Sequence, residues 1–142
     1  MNSLWSEIAV GRAVKLGAAV RGFLAVAVVA VAGCATVGGE PPEAIVKERA
    51  QARWDLMVKG DFKAAYGYLS PGSRAVLSES SYVGSLKKGF WKSARVDSVT
   101  CRSAEACDVS ATIEYDYMGH QITTPLRESW IRDEGQWWYV KQ

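Results

Sequence analysis

Histidine is nearly absent from this chain, with His120 alone among 142 residues. Cysteine is scarce too, limited to Cys34, Cys101 and Cys107. A structural zinc site draws four ligands, mostly Cys and His, and this stock does not supply them. No Ser-His-Asp set or glycine-rich phosphate loop is present to mark catalysis, and no resident cofactor is expected. An excess of one charge is also lacking, since 17 basic residues face 15 acidic ones for a net +2. A nucleic-acid binder needs basic excess to displace counterions from phosphates, so that partner class is set aside. Long apolar runs are missing as well. The clearest, residues 22–33, falls short of the roughly 20 residues that span a bilayer. What remains, 49% hydrophobic and 23% charged, is the composition of one ordinary globular domain.

The small positive charge is not evenly spread. Residues 1–33 carry Arg12, Lys15 and Arg21 against Glu7, which leaves residues 34–142 neutral. Basic residues followed by a short apolar run and small residues describe a secretory signal peptide. Within it, Val31-Ala32-Gly33-Cys34 resembles a bacterial lipobox: aliphatic, small, small, cysteine. That resemblance implies diacylation of the Cys34 sulfur, cleavage after Gly33, and acylation of the new N-terminus with a chain such as palmitate. Residues 1–33 then form a lipoprotein signal peptide, and the membrane is reached through a lipid anchor. In Gram-negative lipoproteins an Asp after the cysteine signals inner-membrane retention. Ala35 stands there instead, so for a Gram-negative source the resemblance points to the outer membrane, facing the periplasm. Residues 34–42, with two Gly and two Pro, read as a lipidated tether.

From residue 43 the pattern is first helical. Val46, Ala50, Trp54, Met57 and Val58 share one face of a helix over 43–59, with Pro42 at its start and Gly60 at its end. Asp61 occupies an N-cap position, and Phe62, Ala65, Tyr66 and Leu69 predict a second helix closed by Pro71-Gly72. A third short helix is predicted within 73–86, with Val76, Leu77, Tyr82, Val83 and Leu86 as its apolar side. The period then changes to two. Val109, Ala111, Ile113, Tyr115 and Tyr117 alternate with polar residues and predict a strand with one buried face. Further strands are predicted over 95–101, 121–132 and 137–141, the third an edge or bulged strand because of Pro125. Three hairpins, one turning at Gly119-His120, would link four antiparallel strands.

Cys101 and Cys107 flank the first of these hairpins. Export puts them in a disulfide-permissive compartment, and their spacing is too long for a Cys-x-x-Cys redox motif, so a structural disulfide is expected.

Helices followed by an antiparallel meander resemble the NTF2-like (cystatin-like) α+β cone, with N-terminal helices packed on a curved four-stranded sheet. The phrase Gly60-Asp61-Phe62-Lys63-Ala64-Ala65-Tyr66-Gly67-Tyr68-Leu69-Ser70-Pro71 and the terminal Trp137-Trp138-Tyr139-Val140 carry the resemblance, which spans residues 43–142. The loop bearing the cysteine pair is a departure from the pattern. NTF2-like proteins include enzymes, ligand binders and assembly modules, so the resemblance implies architecture more than activity. Its enzymes hold an Asp or His inside the cone, whereas His120 falls at a hairpin tip and Asp108, Glu114 and Asp116 on the polar side of their strand.

Aromatic residues are the richer signal. Trp137 and Trp138 are adjacent in a strand and point to opposite faces, and Phe90 and Trp91 cannot both face inward if extended. Trp91, Trp137 and Trp138 are therefore the candidate contacts for a partner or ligand. The expected function is a non-catalytic binding or envelope-assembly module, with an envelope protein or small ligand as partner and a homodimer possible in this fold. A pocket enzyme or small-ligand carrier is the alternative. It is decided by whether the interior is filled or holds an inward carboxylate.

Overall fold

A computed structural model describes residues 39–142, so the expected signal peptide, Cys34 and most of the tether lie outside the described residues. Helix α1 spans Pro42–Lys59, starting on proline with Glu43 in its first turn. Its apolar stripe buries Val46, Ala50, Trp54 and Met57 against the sheet. Gly60, at φ +77°, ends it by a paired C-terminal cap. The Gly60 N–H donates to the Met57 carbonyl at 3.1 Å and the Asp61 N–H to the Leu56 carbonyl at 2.9 Å. A side chain there would be strained, and its Cβ would lie 2.6 Å from Lys88 Cγ.

Asp61 caps α2, Phe62–Tyr66, by accepting from the Ala64 N–H at 3.1 Å. The helix is shorter than the predicted pattern, and Pro71-Gly72 opens the next helix where the sequence reading made it a closure. The Ser70 hydroxyl accepts from the Ser73 N–H at 3.1 Å, and Pro71, which lacks an N–H, suits the first turn of α3, Pro71–Val76. Ser78 repeats the device for α4, Glu79–Gly84. The single third helix predicted over 73–86 is thus two helices. Val76, placed on its apolar side, is 88% exposed, whereas Tyr82 is buried.

Strands β1 (Trp91–Ser103), β2 (Ala106–Tyr117), β3 (His120–Asp133) and β4 (Gln136–Val140) form one antiparallel sheet in chain order. Cys107, Val109, Ala111 and Ile113 of β2 are all buried, as period two predicts. Tyr117 is not, because the end of β2 runs past the packed face. The second turn is Met118-Gly119, both at positive φ, and His120 begins β3 in register with Tyr117. Pro125 pairs only with Thr112, since β4 reaches no further along β3 than Ser129. The missing N–H therefore costs no second ladder.

Both sheet edges are partly engaged, which limits unwanted strand pairing. The Gln51 side chain acts on β1 as a surrogate strand, accepting from the Val96 N–H at 2.8 Å and donating to the Ala94 carbonyl at 3.0 Å. Along β4, Ser70 N–H donates to the Tyr139 carbonyl and Tyr139 N–H to the Tyr68 carbonyl, each at 2.8 Å.

Cys101 and Cys107 are directly opposed across β1 and β2 and are joined as a disulfide. In the chain-entropy model, closing so short a loop contributes about 2–2.5 kcal/mol. Cys101→Ser should therefore lower the melting temperature by on the order of 10 °C while leaving the circular dichroism spectrum of the folded domain unchanged.

Candidate functional site

Trp91, Trp137 and Trp138 have three different environments. Trp137 is 3% exposed and belongs to the core, so it is not the surface contact considered for it. Its neighbour Trp138 lies half-buried on the opposite face, opposed to Ile131. The Arg49 and Arg74 guanidiniums lie 5.8 and 5.0 Å from the Trp138 ring centre. Trp91 packs edge-on against Trp54 at 6.4 Å and Phe62 at 6.0 Å, while Phe90 stacks on Tyr115 at 5.0 Å.

Trp91 also lines a cavity of about 170 Å³ between the helices and the sheet. Its walls are Trp54 and Met57 from α1, Tyr82 from α4, Leu126 from β3 and Tyr139 from β4, with the exposed Lys141 also at its border. Among these apolar groups sit two charged ones, Arg53 and Glu128. Arg53 Nη1 donates to Glu128 Oε1 at 2.7 Å, and both side chains are almost wholly buried. The other carboxylate oxygen, Oε2, accepts from Trp130 Nε1 at 3.1 Å. Arg53 also lies 3.9 Å from the centre of the Tyr139 ring and 5.1 Å from that of Trp54.

Sequence reasoning missed this pair, although phase contained it. Arg53 stands three residues after Ala50 and four before Met57, on the buried stripe of α1. Glu128 stands between Leu126 and Trp130, on the inward phase of β3. Asp108, Glu114 and Asp116 face the other side, as read, where Glu114 accepts from Ser93 at 2.7 Å and from Gln121 at 3.1 Å.

Tyr139 is the polar wall residue most affected by this setting. Burial raises its phenol above the ordinary 10.0, the positive charge of Arg53 opposes the rise, and Glu128 adds to it.

No protein-family model matches the chain, and no curated protein matches it. Solved structures do resemble it. A SEC-C motif-containing protein from Rhodopseudomonas palustris aligns at TM-score 0.55 and 13% identity, over 66% of this chain and 73% of its own. A second SEC-C motif-containing protein, from Psychrobacter arcticus, aligns at TM-score 0.58 and 10% identity, over 73% and 63%. At such identities the likeness is one of fold alone. A Campylobacter jejuni protein provisionally named an NTF2-like transpeptidase aligns at TM-score 0.44 and 10% identity, over 68% and 98%, too low a score to carry weight.

Removing one partner of a buried pair leaves an uncompensated charge, which costs about 3–5 kcal/mol. Glu128→Ala should lose stability of that order in urea unfolding, and the double replacement Arg53→Met with Glu128→Leu should lose less than Glu128→Ala alone. For Tyr139, both folded and unfolded chains are protonated well below pH 10. Above it the unfolded chain ionises first, so stability should fall as pH rises past 10. Tyr139→Phe should flatten that loss in unfolding curves measured across the alkaline range.

Proposed function

We propose that this chain is an exported lipoprotein whose folded domain binds a small ligand in the cavity beside Arg53 and Glu128. The observation that carries the binding reading is the cavity itself. It is a mostly apolar, aromatic-walled space with a few convergent polar groups, which is the usual make-up of a ligand site. An inward carboxylate also favours the pocket reading over a filled interior. Binding is preferred to catalysis because both oxygens of Glu128 already accept, from Arg53 and from Trp130. A general base has to reach a substrate proton, and this one is tied to the scaffold.

The anchor belongs to the same proposal. Its support is the Val31-Ala32-Gly33-Cys34 motif after an apolar run, with residues 1–33 as signal peptide, 34–42 as tether and 43–142 as the domain. For a Gram-negative source, Ala35 favours the outer membrane, with the domain facing the periplasm. Among the described residues no helix is long and apolar enough to cross a membrane. An NTF2-like domain is the finer reading of the α+β fold, supported by helices leading into a four-stranded meander and by the phrase from Gly60 to Pro71. Trp138, with Arg49 and Arg74 against it, is the remaining candidate for contact with an envelope protein.

Mass spectrometry of protein extracted from its own membrane tests both halves of the proposal. Under denaturing conditions the expected mass is residues 34–142 with acyl chains and glycerol, and an unacylated mass overturns the anchor. Under native conditions a small non-covalent adduct is expected, and it should be lost in Leu126→Trp, which fills the cavity.

A further inference from the structure

The polar groups around the cavity leave little for a charged ligand to hold. Arg53 and Glu128 answer one another at 2.7 Å, and the second oxygen of Glu128 accepts from Trp130 Nε1. The Tyr82 hydroxyl donates to the Met57 sulfur at 3.3 Å. Arg53 Nε and Trp54 Nε1 have no protein partner, but both atoms are closed even to water, so a ligand does not reach them. Tyr139 is uncharged at neutral pH, because burial raises its phenol above the ordinary 10.0. Lys141 stands in water at the border, its ammonium donating to the Gln142 carbonyl at 2.8 Å. Inside that border, among the described residues, the charges cancel.

We infer that the cavity takes a small uncharged apolar molecule, about one aromatic ring in bulk, and turns away the corresponding carboxylate. This rests on the proposal that the cavity is the binding site, and it specifies the chemistry of the ligand. The surface on offer is indole and phenol rings, the Met57 thioether and the side chains of Leu86 and Leu126. Covering an apolar ligand with it is favourable, whereas a carboxylate would give up its water for no hydrogen bond. Arg53 does not rescue the anion. Its charge is already offset by Glu128, whose own charge repels a second carboxylate.

Size agrees with that class. The cavity measures about 170 Å³, and an apolar protein cavity of about 150 Å³ takes benzene. Wall geometry agrees too. Trp54 and Trp91 already meet edge-on at 6.4 Å, a packing that a further ring can extend. A sugar or a phosphate presents polar atoms on every side and would leave most of them unpaired.

The chain has three methionines, Met1, Met57 and Met118, so methyl signals make a compact probe. Met57 lines the cavity, whereas Met118 is 82% exposed in the turn between β2 and β3. The test is a titration of the full-length chain, labelled with ¹³C-methyl methionine, in zwitterionic detergent at pH 7. The Met57 signal is assigned by its loss in Met57→Leu. Toluene and benzoate are the probes, alike in ring and different in charge, with their concentrations free in water fixed by dialysis. Toluene should shift the Met57 methyl, saturate, and leave Met118 in place. It should bind at least about tenfold more tightly than benzoate. Benzoate affinity within about tenfold of that of toluene, or above it, would overturn the uncharged class while leaving the cavity as a binding site. Failure of both probes to saturate the Met57 shift, or equal shifts at Met57 and Met118, would overturn the site and the binding reading with it.

Discussion

The ion pair between Arg53 and Glu128 joins the middle of α1 to β3 across the interior, and much else is arranged around it. Two charges withdrawn from water lose several kcal/mol of hydration each, and only close contact and full hydrogen bonding offset that loss. Both conditions are met on the carboxylate side, with Arg53 at 2.7 Å and Trp130 at 3.1 Å. On the guanidinium side they are met only in part. The Tyr139 ring at 3.9 Å supplies a π face, but Nε has no acceptor. The pair therefore holds helix to sheet beside the cavity.

Around this centre the fold controls its edges with few residues. Gln51, two positions before Arg53 on α1, bonds the backbone of β1 through its side-chain amide. The segment from Tyr68 to Ser70 does the same for β4 through its own backbone. The disulfide ties β1 to β2 at the far end of their ladder, where β1 has one of its register shifts. Helix α1 thus delivers its apolar stripe, the buried charge set within that stripe and its edge contact from a single element. That concentration is why the short helices after it can be irregular without loosening the core.

The proposed binding role rests on the interior more than on the surface. Trp138 and its two arginines make a distinctive outer patch, but the cavity combines aromatic walls with a buried ion pair. Glu128, with its oxygens already engaged by Arg53 and Trp130, has the position of a scaffold carboxylate.

The order of elements was legible in the sequence because periodicity is local. Four-residue spacing from Val46 to Met57 marks α1, and alternation from Val109 to Ile113 marks β2, whatever else the chain does. The split of residues 71–84 into two helices was harder to read, since Ser-Pro can end one helix or open another. Adjacent tryptophans at 137 and 138 had to face opposite ways in a strand, and the sequence alone determined that much. Which of them is buried was decided only when the helices covered one face of the sheet. The same holds for Arg53 and Glu128, 75 residues apart. Each one's phase could be read locally, but a buried charge is tolerable only with its partner, and tertiary packing alone brings that partner within reach.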